Sequence, residues 1–168
     1  MKFLYFALIL LSSFSCNQIE EKNKEFITYN WDSKEIDLSN IDSLFQGSSY
    51  LSVYSEVYDM TEKTKHLLTA TVSLRNISSS DSIFIKKADY FNTEGDLIRS
   101  YVRKPIFIKP METLEIVIYR TDALGGSGAN FIFEWATNNK NTEPHFEAVM
   151  IWTTGTQGIS FVTNGIKR

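Results

Sequence analysis

Leu68-Thr-Ala-Thr-Val-Ser-Leu74 alternates apolar and polar residues without a break. In an extended chain successive side chains point to opposite faces. Leu68, Ala70, Val72 and Leu74 therefore share one face, and Thr69, Thr71 and Ser73 share the other. Such a segment reads as a strand with one face in a core and one toward water, as antiparallel sheets allow. Upstream, Leu51, Val53 and Val57 keep the same rhythm against Tyr50, Tyr54 and Tyr58. Downstream, strands are expected over about 82–91, 96–103, 113–120, 130–137, 146–153 and 159–163. The run from Ser82 to Phe91 changes phase at Lys86-Lys87, which a β-bulge would reconcile. Turn formers separate these runs at Ser78–Asp81, Asn92–Gly95, Pro110, Gly125-Gly126 and Asn138-Asn139. About eight short strands without a credible long helix predict an all-β fold, an antiparallel β-sandwich of immunoglobulin-like type. Phe131, Phe133 and Trp135 share one strand face, and Phe146, Met150 and Trp152 another, as core aromatics would.

Working outward, the chain has 168 residues, 43% of them hydrophobic and 22% charged, the proportions of a globular domain with extras. Its net charge is −3, or −4 once Lys2 is removed with the first fifteen residues. That balance offers no general attraction to nucleic acid. Phe3–Leu11 is an apolar run behind Lys2, too short to span a bilayer and suited to the h-region of a secretory signal. Ser12-Ser-Phe-Ser15 leads into Cys16, the only cysteine of the chain. This resembles the lipobox of bacterial lipoproteins, with Ser13 where leucine is usual, and implies diacylglycerol on the Cys16 sulfur. The expected organisation is a signal peptide over 1–15, the lipidated cysteine and a polar tether over 16–46, and the sandwich over 47–168. Export, attachment to a bacterial membrane by acyl chains and a monomeric state are expected with it. Gln18-Ile-Glu-Glu21 loosely resembles an acidic export signal, and equally reads as a charged tether. One helical turn is possible around Ile41, Leu44 and Phe45, whose spacing puts them on one face.

The last third carries longer phrases: Asp122-Ala-Leu-Gly-Gly-Ser-Gly-Ala-Asn-Phe131, then Trp135, Glu147-Ala-Val-Met-Ile151 and Gly155-Thr-Gln-Gly-Ile-Ser-Phe161. With Tyr50-Leu-Ser-Val-Tyr-Ser55 upstream, the chain resembles the bacterial family catalogued as domain of unknown function 3124. The resemblance covers about residues 47–165 and implies exported or lipid-anchored proteins with no established activity. It supplies no catalytic residue.

No catalytic or metal-ligating set stands out. His66 and His145 are the only neutral-pH bases, and no G-x-S-x-G elbow occurs. Two distant histidines and one lipidated thiol do not make a zinc site, and no cofactor is expected. Gly125-Gly-Ser-Gly128 lacks the lysine of a phosphate-binding Walker loop and precedes a strand rather than a helix. It reads either as a turn needing positive φ or as part of a ligand site. Arg99, Arg103, Lys104, Lys109, Lys86 and Lys87 read as solvated faces and edge protection, or as a surface for an anionic glycan or lipid headgroup.

Antiparallel succession sharpens the choice. Connections then alternate between the two ends of the sandwich. The loops near 59–65, 92–95, 121–129 and 154–158 share the end away from the tether, and those near 76–81, 104–112 and 138–145 share the other. End loops are where sandwiches commonly carry function. The candidate ligand-binding residues are therefore Asp122, Gly125, Gly126, Gly128, Asn130 and Gln157, with His145 at the opposite end. The function expected is a membrane-anchored, non-enzymatic binding or structural module for an unknown envelope protein or glycan. Two alternatives stand beside it: a hydrolase of envelope material using distal-loop carboxylates such as Asp59, Glu94 and Asp122, and an oxygen-ligand calcium module.

Overall fold

A computed structural model describes residues 31–41 and 43–168. The signal segment, Cys16 and Gln18–Glu21 lie outside the described residues. The chain order is a 3-10 turn (Asp32–Lys34), then β1 (Phe45–Val53), β2 (Glu56–Tyr58), β3 (Lys65–Leu67), β4 (Thr69–Arg75), β5 (Ile83–Phe91) and β6 (Leu97–Val102). It continues with β7 (Ile106–Ile108), β8 (Thr113–Ile118), a 3-10 turn (Gly126–Gly128), β9 (Ala129–Thr137), β10 (His145–Thr154), β11 (Gln157–Asn164) and β12 (Ile166–Lys167). Two antiparallel sheets result, β12-β1-β9-β5-β6 with β7 on β5, and β11-β10-β4-β8; β2 and β3 form a separate hairpin. The fold is an all-β antiparallel sandwich. Its long strands correspond to the eight the alternation marked out, except that the first ends at Val53: Tyr54-Ser55 break it, and Val57 and Tyr58 fall in the separate strand β2; the short β3, β7 and β12 are additions.

The inward faces follow the period-2 reading. Leu51, Val53, Ala70, Val72, Leu74, Phe131, Phe133 and Met150 are all fully buried. Aromatic rings link the layers: Phe133 stacks on Phe146 at 4.0 Å, on Phe131 at 5.4 Å, and Phe131 on Tyr90 at 4.8 Å. Offset and stacked ring pairs of this kind add to the apolar burial they share. The expected bulge is present: the β5–β9 register slips between Ile85 and Lys87, so Ile83 and Ile85 before it and Ala88 and Tyr90 after it are all buried. Gly47 lies opposite Trp135, where an added Cβ would sit 2.3 Å from the indole Cζ2. Only a bare backbone lets that ring lie flat across the strand, with its Nε1 donating to Ser49 Oγ at 3.0 Å.

Three local expectations give way. Ile41 and Leu44 lie outside any helix, and Phe45 opens β1 opposite Thr137, because the sheet offers backbone partners that a single turn lacks. Ser73, expected in water, is 2% exposed, overlain by Arg75, which reaches across it to Glu147 Oε1 at 3.1 Å. Gly126 has φ +72°, yet Gly128 has no positive φ; what Gly128 requires is space, since a Cβ there would press Thr93 Cγ2 at 3.2 Å.

Residues 31–36 lie against the domain. Trp31 packs on the core, Ile36 N donates to Pro105 O, Glu35 bridges Ile106 and pairs with Lys104, and Lys34 pairs with Glu112 Oε1 at 2.5 Å. The chain thus meets the 109–112 turn through Lys34 and runs along β7 as far as Pro105, beside the middle of β5.

Candidate functional site

Strand directions decide which loops meet. β1 runs antiparallel to β9, β9 to β5, and β4 to both β8 and β10. The segments 54–68, 92–96, 119–128 and 155–156 therefore lie at the end opposite the entry of β1, as strand succession predicts. His145, which opens β10 opposite Arg75, lies at the entry end.

The distal loops are tied to one another by polar contacts that begin with small residues. Ser55 follows β1, and its N–H donates to Gly126 O at 3.0 Å while its carbonyl accepts from Leu68 N. Its hydroxyl meets Tyr90 Oη at 2.8 Å in a fully buried pair. Gly125 sits over that pair; a Cβ there would approach Tyr90 Oη to 2.0 Å and Ser55 Oγ to 2.7 Å. Thr93 grips the same loop twice, donating from N–H and Oγ1 to Gly125 O and accepting from Gly128 N at 2.9 Å. Burial pushes the Tyr90 phenol up to about 12, because the charged form has lost its water.

Asp122 is 4% exposed. Its Oδ2 accepts from Arg99 Nη1 at 3.2 Å, and its Oδ1 accepts from Leu124 N at 3.4 Å. Arg99 also donates to Tyr101 Oη at 2.7 Å. Burial works against the guanidinium charge, and Tyr101 and Asp122 more than offset it, so the Arg99 pKa lies above its usual value. A carboxylate held this way fixes the 119–128 loop to the edge strand β6.

The candidate residues therefore divide. Asp122, Gly125, Gly126 and Gly128 form one contiguous latch turned inward on Ser55, Tyr90, Thr93 and Arg99. Asn130 is half-buried within β9, between Ser52 and Phe91. Gln157 is exposed at the start of β11. β11 and β8 are opposite edges of their sheet, so the strands leading to Gln157 and Asp122 stand about 14 Å apart, three strand spacings. The structure does not bring those two together. Nor are the acidic residues gathered: Asp122 faces Arg99, and Asp59 Oδ2 lies 3.5 Å from His66 Nε2. Among the described residues no three His, Cys, Asp or Glu converge as a metal site. The basic residues are likewise dispersed into local contacts, Lys86 to Gln46, Lys87 to Glu134, Lys104 to Glu35 and Arg99 to Asp122.

One group at this end is misassigned by alternation, which carries Val57 and Tyr58 on into the first strand. The β2–β3 hairpin pairs Val57 with His66, and the imidazole stacks on Trp152 of β10 at 4.1 Å. The hairpin also carries Tyr58 and Met60, 53% and 91% exposed, beside Leu67 at 37%. The available signal was Asp59–Thr64, a polar turn between two short apolar pairs, and three-residue strands are too short for periodicity to register.

Fold and latch define a class: a β-sandwich domain with one end braced by buried polar contacts and carrying a charged hairpin from which Tyr58 and Met60 stand exposed. The chain belongs to the family described as protein of unknown function (DUF3124), matched over residues 46–167. No curated protein matches it. Among solved structures, Thermotoga maritima 1070 is similar over 71% of this chain and 92% of its own, with 8% identity and a TM-score of 0.45.

Proposed function

We propose that this protein is a bacterial envelope lipoprotein whose sandwich is a non-enzymatic binding module, anchored through lipid on Cys16. The observation that supports it is the polarity of the domain. The chain runs in along β7, with Lys34 on Glu112 of the 109–112 turn, and enters β1 at that end, while the β2–β3 hairpin and the 119–128 loop stand at the other end. A domain tethered through its N-terminal side would carry that second end outward. Recognition then falls on exposed side chains, Tyr58, Met60 and Leu124 beside the inward-facing latch, and Gln157 on the separate β10–β11 turn. Large apolar side chains left in water on a braced loop end are a common mark of an interaction surface.

The test replaces the anchor. Cys16→Ala in the full chain is expected to abolish incorporation of labelled fatty acid and to move the protein from the membrane to the soluble fraction. Unchanged membrane partition would sink the anchoring. Tyr58→Ser combined with Met60→Ser is expected to leave folding intact and to lose a partner crosslinked in native envelopes. A partner retained by that variant would put recognition elsewhere.

A further inference from the structure

Among the described residues β11 is an edge strand of eight residues, Gln157–Asn164, hydrogen-bonded to β10 on one side only. Gly165 N donates to Phe146 O. Alternation back along the unbroken register turns Thr163, Phe161, Ile159 and Gln157 toward β10. Gly158, Ser160, Val162 and Asn164 then direct their N–H and C=O groups away from the sheet. All four are exposed. An open row of donors and acceptors of this length is a template for another strand.

The other edges of the two sandwich sheets are interrupted. β6 carries Arg99 and runs into Arg103-Lys104; β8 carries Glu115 and runs toward Arg120; β7 is bridged by Glu35; β1 is covered at Ser49 and Tyr50 by β12 and at Ser52 O by the Thr163 hydroxyl. β11 has no guard at all, since no charged residue falls between Glu147 and Lys167. That absence selects the partner. Two-fold pairing faces the strand with a copy of itself, so charges of one sign along it would gather across the junction at a cost, and an uncharged strand meets no such penalty. A basic or acidic extended peptide would find no complementary charge along the strand.

We propose that β11 is a dimerisation edge, on which two copies of this chain pair antiparallel about a two-fold axis to make one continuous sheet. With the whole strand engaged, the axis falls at Phe161. Gly158 then lies opposite the partner's Asn164, and Ser160 opposite the partner's Val162, each an outward-bonding pair. The outer sheet face, where Val162 and Ile151 are 52% and 45% exposed, continues across the junction. This departs from the monomer expected from the sequence; the two chain entries come to lie at opposite ends of the joined sheet, so the end-outward arrangement of the proposed function holds for one copy of a pair at a time.

The register makes the test specific. Two differently tagged full-length chains, one with Ser160→Cys and one with Val162→Cys, are co-expressed and oxidised, with the unaltered chain as the control for Cys16. In the paired register those positions are directly opposite, near 5.5 Å between Cα atoms, within disulfide reach. Ser160→Cys on both chains leaves a diagonal beyond about 7 Å, too far for a disulfide. The mixed pair is expected to crosslink at least tenfold more than either cysteine with itself. Ser160→Pro removes an outward N–H without touching β10 and is expected to weaken dimerisation at least tenfold in sedimentation. Val162→Lys serves where the proline variant does not fold. A monomer at all concentrations, equal crosslinking of like and unlike cysteines, or a dimer undiminished by proline or lysine would each overturn the proposal.

Discussion

Asp122→Ala should destabilise the domain by about 2–3 kcal/mol, and the size follows from what its carboxylate holds. Breaking a fully buried ion pair costs about 3–5 kcal/mol, because the remaining charge is stranded. Here the Asp122 side chain is 3% exposed but Arg99 is 25% exposed, so water recovers part of the guanidinium's loss. Tyr101 Oη, at 2.7 Å, stays as a partner. The bond to Leu124 N at 3.4 Å is long and adds little. Asp122→Asn keeps the shape and an acceptor, and should cost about 1–2 kcal/mol, the charge-assisted share of the bond. In an Arg99→Met background the cost of Asp122→Ala should fall below about 1 kcal/mol, a positive coupling by double-mutant cycle. Urea unfolding of the full chain, followed by tryptophan fluorescence, gives all four corners. A change under about 0.5 kcal/mol for Asp122→Ala, or strict additivity with Arg99→Met, would refute the latch.

Two further outcomes follow from the core. Tyr90 has its folded pKa raised from 10 to about 12, so its stabilisation is fully present below pH 10 and is lost as pH rises from 10 to 12, about 2–3 kcal/mol in all. Tyr90→Phe, measured at each pH, should flatten that alkaline slope while costing about 1–2 kcal/mol at neutral pH, where it orphans the Ser55 hydroxyl; an unchanged slope would mean another group titrates. Val72→Ala, fully buried, should cost about 2–3 kcal/mol by lost methyls and the cavity left behind. Thr71→Val, half-exposed between Val149 and Val117, should cost well under about 1 kcal/mol; equal losses at the two positions would contradict the facing of β4.

Strands that bury one face announce themselves, and Thr69–Arg75 and Ala129–Thr137 were legible to the residue or nearly so because core exclusion repeats every second position. The Lys86 bulge was legible for the same reason: two phases that cannot both face inward must be separated by an extra residue. Ile41, Leu44 and Phe45 misled because spacing of three and four also occurs by chance at the mouth of a strand, and only the pairing of Phe45 with Thr137 distinguishes them. Ser73 misled because alternation assigns a face and says nothing of what lies over it; the cover comes from Arg75 and Glu147, the latter 74 positions away. Loop parity placed the distal loops at one end, since it needs only the count of strands. It could not tell which side chains there point inward, because Asp122 finds Arg99 of the edge strand β6 and Gly125 finds Tyr90 of β5, partners far away in sequence.

That inward turn bears on function. A loop whose glycine carbonyls and carboxylate are already bonded within the fold would have to give up those bonds to hold a ligand, and each surrendered bond counts against affinity. Gly125 and Gly126 O, Asp122 Oδ2 and the Gly128 N–H are all engaged. Rigid loops remain useful to a binding protein in another way: they present neighbouring side chains at little further ordering cost. At this end the exposed neighbours are mixed: Tyr58, Met60 and Leu124 are apolar, and Asp59, Glu62, Lys63, Glu94 and Gln157 stand exposed among the same loops. The chemistry on offer is contact area interspersed with charge rather than a cradle of free amides. Apolar contact with polar surroundings is the composition that protein interfaces share.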